Sequence, residues 1–482
     1  MKSVTGSQDY PAGRATPPVT RGRLLDFSDD PAACMRRLYT EHGEVAALEE
    51  MGHRLVFVFG PRFNRQVLSD TETFHSRFFP VRGPRHSAQR RLTSGLLNMN
   101  GEDHKRHRRM VAAPFQRSSI AGYQDGIADL ARRMVWEWKP GETRDMSREM
   151  NEYMLRVTSS LLFGFDEHEL AYEIGRATER WVTLNHEVGM GAFVSDPEIT
   201  ESYGSLLQNA ETLEGLIRRM IELRRASPPG RDVLSLLLQA RDENGHGMTN
   251  GELIGQAAVL FGAAHLTTAH TLTWALFLLS QHPRVAAELS AELRATLTEA
   301  SPTLEELERL PLLNRVLKES MRVLSASAYS QRMVAEPVQL GPLMLQKGTM
   351  VIFSPFITHH LAELYPQPER FLPQRWETLT TVPYAYIPFA SGPRLCLGSS
   401  LAMMTLKTTL PTILQRFRLS VVPAATIDAR VIATMLTPTS GMPMLISPAA
   451  SHYTAAPVEG TVHDLVDLRT GEELALAPRQ AA

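Results

Sequence analysis

Cysteine is almost absent: there are two in 482 residues, Cys34 and Cys396. Two thiols cannot build a disulfide framework, a four-cysteine zinc site or an iron–sulfur cluster. Their scarcity fits a reducing compartment, and the expected location is the cytoplasm. An excess of charge is also absent. The 50 Lys and Arg are balanced by 52 Asp and Glu, a formal charge of −2, which excludes a protein whose main business is wrapping nucleic acid. The opening MKSVTGSQDYPAGRATPP has no apolar stretch, so neither a signal peptide nor a membrane anchor is expected. Only one long apolar run exists, residues 253–279. It is long enough to span a bilayer, but it contains Gln256, His265, His270 and a series of threonines, and no basic flanks frame it. A buried core helix is the expectation. There is no internal repeat and no low-complexity block.

What remains is an ordinary globular composition, 43% hydrophobic and 21% charged. A chain this long buries about three quarters of its unfolded surface. Length alone suggests roughly three domains, yet no linker divides the sequence, so one large domain spanning 24–448 is expected. It lies between a flexible lead-in at 1–23, rich in Pro, Gly, Ser and Thr, and a polar, peripheral tail at 449–482. GEVAALEE, MGHR and LVFVFG read as a hairpin. From about 100 to 330 apolar residues recur at i, i+3, i+4, the helical period. The 253–280 segment forms one long helix ended by His282-Pro283. PVQLGPLMLQKGTMVIFSP is a second β-rich patch. A helix follows from about 398 to 417, which Pro411 should kink or close, and TMLTPTSGMPMLISP reads as a final hairpin. The fold class is mainly α with minor antiparallel β.

The most informative stretch is YIPFASGPRLCLGSSLAMM. Phe389, Gly392, Arg394, Cys396 and Gly398 stand in the order F-x-x-G-x-R-x-C-x-G, a pattern expected by chance at about 10⁻⁷ per start site. Cys396 precedes a helix N-terminus, where free N–H groups and the helix dipole favour a thiolate. Gly392 permits a sharp turn, Gly398 leaves room for a flat ligand, and Arg394 suits a carboxylate. A thiolate in an apolar loop beside an aromatic ring is the pattern of an axial haem ligand. Cys34, in DDPAACMRR, has no such setting and reads as structural.

This loop resembles the haem-binding loop of the cytochrome P-450 superfamily, and further matches follow in the family's order over about residues 24–448. Glu319 and Arg322, one helical turn apart in LLNRVLKESMRVL, resemble the E-x-x-R pair, for which the pattern supplies Arg370 as third partner. His104 and Arg108, four apart in GEDHKRHRRM, together with Arg332, stand where members bind the haem propionates. Ala263, Ala264, His265, Leu266 and Thr267 resemble the oxygen-binding helix, with Thr267 present. The usual acid is replaced by Leu266 and the usual glycine by Ala264. His265 could in principle stand in as a proton relay, though helical rotation points its side chain about 100° away from that of Leu266; otherwise water and Thr267 relay protons unaided.

The resemblance implies haem b as cofactor and insertion of one oxygen atom of O₂ into a lipophilic small molecule. Electrons would come from a separate ferredoxin or flavodoxin with its reductase, docking by analogy at Lys105, Arg106, Arg109 and Lys407. No nucleic acid and no membrane anchor are implied. The missing acid keeps a second class open, a haem-thiolate isomerase or dehydratase, or an enzyme using peroxide. Candidate pocket residues are Phe78, Phe79, Leu260, Ala263, Ala264, Ala328 and Met435, whose apolar character points to a terpenoid, fatty acid or polyketide.

Overall fold

The computed structural model describes residues 18–79, 81–164, 168–191, 197–298 and 302–468. Its axis is a single helix, Asn250–Gln281, about 48 Å long at 1.5 Å per residue. Thr249 starts it. The Thr249 hydroxyl accepts from the Glu252 N–H at 3.3 Å, and the Glu252 carboxylate accepts from the Thr249 N–H at 2.7 Å, a reciprocal cap that satisfies two orphan donors. It ends at His282, because Pro283 forces the preceding residue out of helical geometry (φ −126°, ψ 74°).

This central helix is apolar nearly all round, as a helix must be when packed on every side. Its C-terminal half, from Ala269 to Leu279, is embedded with the helices Met146–Phe163 and Ser399–Arg416. Its N-terminal half, Leu253 to Phe261, packs beneath the long helices His168–Gly191 and Pro197–Ala226.

The β structure is small and mostly antiparallel. A six-stranded sheet runs in the order Val19–Arg21, Val45–Glu50, His53–Val58, Met350–Phe353, Ser330–Val334, Phe74–Ser76. The first pairing and that of His53–Val58 with Met350–Phe353 are parallel. The expected hairpin is present, with Val45 opposite Val58 and Glu50 opposite His53. Met51 and Gly52 at its turn both have positive φ, the two-residue geometry that matches strand twist.

Four expectations are corrected. Residues 19–21 of the lead-in are a sheet strand rather than flexible chain; residues 1–17 lie outside the described part. The final hairpin does not form. Met435–Pro438 instead turns back on Ala429–Ile432, while Pro443–Pro448 pairs with Phe417–Val421 and Thr143–Asp145. Asp145 redirects the chain by accepting the Met442 N–H at 2.8 Å beside Gly441, whose φ is +81°. The tail is not peripheral as far as residue 468. Val458, Val462, Leu465 and Val466 recur at helical intervals and are buried in the main core, and the Asp467 N–H donates to the Glu369 carbonyl at 2.8 Å. Pro411 does not close its helix, which runs unbroken over Ser399–Arg416. Among the described residues, no helix is long and apolar enough to cross a membrane.

Buried imidazoles give the fold an acid limit. Burial pushes His265 and His270 down to about 4, and burial with the neighbouring Arg322 pushes His359 to about 3. In the unfolded chain each titrates near about 6.5. The native state favours the neutral form, so this stability is complete above about pH 6.5 and is lost as pH falls toward 4. The urea midpoint is expected to decline steadily from about pH 6.5 downward. A midpoint that stays level between neutrality and about pH 5 would contradict this accounting.

Candidate active site

Cys396 lies on a loop bent back on itself. Its N–H donates to the Phe389 carbonyl at 2.9 Å, and the Leu395 N–H to the Gly392 carbonyl at 3.0 Å. Gly392 has φ +71°, and a Cβ there would meet the Leu68 carbonyl oxygen at 2.8 Å, so both conformation and space demand glycine. A Cβ on Gly398 would have only Phe115 within reach, at 3.9 Å. The helix Ser399–Arg416 starts directly afterwards. Cys396 is exposed, lining an internal cavity of about 320 Å³, whereas Cys34 is buried in the core.

Burial raises the Cys396 thiol, opposed by the Gly398 N–H and by Arg108. Desolvation therefore outweighs the helix terminus expected to favour the thiolate. The sulfur needs a cation against it to ionise, as a metal ion provides. Among the described residues no cluster of three or more His, Cys, Asp or Glu side chains can hold a metal. An iron here needs its equatorial ligands from a macrocycle.

One wall of the cavity is a knot of positive charge. Arg394 donates to the Met99 carbonyl at 2.6 Å and to Asn100 Oδ1 at 2.9 Å. Arg108 donates to the Leu395 carbonyl at 2.6 Å. Arg332, on the strand Ser330–Val334, lies 5.1 Å from the centre of the Phe353 ring. His104 is buried beside them on the helix Gly101–Met110. No carboxylate among the described residues pairs with any of the four. Burial and mutual repulsion follow: His104 is pushed down to about 4 by burial, then by Arg394, Arg108 and Arg332. Arg332 falls to about 10 by burial and the charge of Arg394, and Arg394 to about 10 by burial and the charge of Arg108. Such a cluster fits an anion with more than one carboxylate. With Cys396 and the open space over Gly398, the donor set fits haem.

The opposite wall is the central helix, with Leu260, Ala263, Ala264, Thr267, Thr268 and Thr271 on the cavity face. The Thr267 hydroxyl donates back to the Ala263 carbonyl at 3.0 Å, and that of Thr271 to the Thr267 carbonyl at 2.8 Å. His265 points elsewhere. Its Nε2 lies 3.0 Å from the Asn151 carbonyl and its Nδ1 3.5 Å from Glu179, so the substitute relay expected of it is not built. A position two residues from Thr267 is rotated about 200° around the helix, which puts it on the far side. Leu266 does not line the cavity either.

Behind the cysteine loop, Glu319 and Arg322 on the helix Pro311–Val323 are fully buried and doubly bonded, at 3.0 and 2.9 Å. The third partner is Arg375, whose Nε donates to Glu319 at 2.9 Å, and not Arg370. Trp376 Nε1 and the Leu372 N–H complete the shell at 2.8 and 2.9 Å. Arg370 turns its side chain outward to Gln367 and contributes only its carbonyl, which accepts from Arg322 at 2.8 Å. The 3₁₀ turn Pro373–Glu377 brings Arg375 and Trp376 round together, which spacing alone does not reveal.

A sequence model of the family described as Cytochrome P450 matches residues 13–443. The chain belongs to the cytochrome P450 family. It is 32% identical over 393 residues to cyclooctat-9-en-7-ol 5-monooxygenase of Streptomyces melanosporofaciens, covering 80% of this chain and 84% of that one. It is 28% identical to pentalenene oxygenase of Streptomyces avermitilis, covering 78% and 84%. Among solved structures, a retinoic acid-bound cyanobacterial P450 superposes with a TM-score of 0.78 at 23% identity, covering 90% of this chain and 99% of that one, a likeness of fold. The protein is accordingly a haem enzyme of the monooxygenase class.

Within this P450, the pocket residues expected from sequence divide. Phe78, Leu260, Ala263 and Ala264 line the cavity. Phe79 does not; its ring packs 4.8 Å from Trp181 in the core. Ala328 is fully buried behind the wall, its carbonyl accepting from Ser354, and Met435 lies outside the lining in the Ala429–Ile432 hairpin. Sequence reasoning missed Val157 and Leu161, which reach in from the helix Met146–Phe163, and Leu401 and Thr405, four residues apart near the start of the helix Ser399–Arg416. The last two were findable from helical spacing; the first two look like any core positions. The cations proposed as a docking face are largely neutralised. Lys105 pairs with Glu102, Arg106 with Asp242 and Glu252, and Arg109 with Glu243, while Lys407 is half-buried.

Proposed function

We propose that this P450 inserts one oxygen atom of O₂ into a compact, ring-containing lipophilic molecule of the terpenoid class. Electrons come from a separate ferredoxin or flavodoxin with its reductase, in the cytoplasm. The observation that carries the reading is one apolar cavity lined by Cys396, by the cation cluster and by Thr267. Haem b, when bound, supplies an iron that activates O₂. Cys396 holds that iron through sulfur. Arg108, Arg332 and Arg394 would neutralise its propionates, with His104 as a neutral hydrogen-bonding partner, and the propionates would relieve the repulsion among the arginines. The aliphatic walls position the substrate by exclusion of water. Thr268, Ser327 and Ser330 add hydroxyls to an otherwise mostly apolar lining. Two relatives named for oxidising cyclooctat-9-en-7-ol and pentalenene support this class.

Among the described residues no carboxylate lines the cavity. Proton delivery therefore rests on water held by Thr267, whose bond to Ala263 leaves an acceptor on its oxygen facing the cavity. Thr267→Ala is expected to retain haem and substrate binding while product per electron pair falls about tenfold or more and hydrogen peroxide is released instead. Undiminished coupling would remove Thr267 from the role. Titration with cyclic terpenoid alcohols, followed by turnover with redox partners or with hydrogen peroxide alone, tests the substrate and the electron source together. Ferric spin-state shifts with terpenoid alcohols and turnover that needs the partners are expected. Shifts with fatty acids only, or full turnover from peroxide alone, would replace the reading.

A further inference from the structure

A second cleft shares no lining residue with the cavity at Cys396. It has a volume of about 510 Å³ and is lined by Arg284, Arg294, Arg418, Ser451, His452 and Tyr453 among others. Three elements converge there: the helix Pro283–Thr296, the strand Phe417–Val421, and the residues after the strand Pro443–Pro448. The family match ends at 443, so one side of the cleft is built by chain beyond it.

Arg418 is only 5% exposed. Its Nη1 donates to the Leu414 carbonyl at 2.7 Å and the Phe417 carbonyl at 3.2 Å, and its Nη2 to Ser290 Oγ at 2.6 Å. Its Nε has no partner, and its guanidinium lies 4.5 Å from the centre of the Tyr453 ring. Arg294 donates to the same Ser290 oxygen at 2.8 Å. Two guanidinium groups thus converge on one neutral hydroxyl. Arg284 is paired with Glu288, but no carboxylate among the described residues pairs with Arg294 or Arg418, and none lines the cleft.

Arg418, a buried cation without a counter-charge, is costly, and the exposed Arg294 brings a second positive charge to the same acceptor. At the cavity of Cys396 clustered arginines likewise lack a paired carboxylate among the described residues, and there the propionates of haem would supply the charge. The two arginines keep planar N–H donors unspent, since each has five and Arg294 has used one. Unspent planar donors of this kind suit the oxygens of a phosphate group.

We propose that this cleft binds a phosphate-bearing small anion, with Arg294 and Arg418 as its principal donors. Because Arg418 closes the C-terminal end of the helix that starts after Cys396, a bound anion ties residues 449–453 to that helix and stabilises the fold.

The test uses the full-length haem-loaded protein and calorimetric titration at constant ionic strength, with inorganic phosphate, a phosphate monoester such as glucose 6-phosphate, and chloride. Saturable binding of phosphate or the monoester is expected, with a raised thermal midpoint. Arg294→Gln should weaken binding about tenfold or more while leaving the haem spectrum unchanged. Binding of both probes, or of one alone, tells free phosphate from a phosphorylated metabolite; either supports the site. No saturation by about 10 mM, equal binding by Arg294→Gln, or the same midpoint shift with chloride would overturn it. Binding confined to an acidic peptide would also overturn it. So would phosphate binding that emerges only in a Glu472→Gln, Glu473→Gln variant, since the occupant would then be the chain's own terminal segment.

Discussion

Cys396→Ala is expected to give a folded protein whose reduced, carbon monoxide-treated form shows no thiolate-type absorption band and whose oxygenation falls to background. The loop does not depend on the sulfur for its shape. Backbone bonds from Leu395 and Cys396 and the obligatory positive φ of Gly392 hold it, and none involves the side chain. Sγ is exposed to the cavity instead of packed, so removing it opens no core void. What is lost is the one protein ligand in that cavity able to give iron an anionic sulfur. The three arginines and His104 remain, so porphyrin is expected to associate weakly and without thiolate character. A difference spectrum identical to that of the unaltered protein would remove Cys396 from the metal, and with it the proposed chemistry. Cys34→Ala, a change in the core, is the control: it is expected to leave the band in place.

Arg375→Ala and Arg370→Ala are expected to behave oppositely, though only five residues separate them. Glu319 is fully buried and accepts from Arg322, Arg375, Trp376 and the Leu372 N–H. Removing Arg375 strands part of a buried negative charge, a loss of about 3–5 kcal/mol. The damage reaches the site, because the same region anchors the run into the cysteine loop. Tyr386 donates to the Lys318 carbonyl at 3.0 Å, Tyr365 to the Ala385 carbonyl at 3.1 Å, and the Ile387 N–H to His359 at 2.9 Å. Loss of haem retention is therefore expected along with a lower denaturation midpoint. Arg370 presents only its carbonyl to this network, which alanine keeps, so its replacement should shift stability by no more than about 0.5 kcal/mol. Equal effects of the two substitutions would refute the assignment of Arg375 as the third partner.

That pair shows where legibility stopped. Glu319 and Arg322 were readable because one helical turn separates them, and helical spacing is a local property. The choice between Arg370 and Arg375 depended on the path of an irregular loop, set by Pro373 and by what Glu319 could reach through space. For His265 the helical rotation was already legible, but its partners, the Asn151 carbonyl and Glu179 on other helices, were not. The last strands divided between two sheets because Asp145, almost 300 residues away, captures the Met442 N–H.

From the order of residues alone came the central helix and its end at Pro283, the first hairpin, the thiol loop with its required glycine, and the helix faces carrying His104, Arg108 and Thr267. Each rests on contacts within a few residues, which the chain encodes directly. Only the folded molecule decided that the thiol is raised by burial, that three arginines share a cavity with a neutral His104 and no paired carboxylate among the described residues, and that Arg294 and Arg418 converge on Ser290. Charge, burial and repulsion depend on distances between segments far apart in the chain, and those distances exist only after the core has packed.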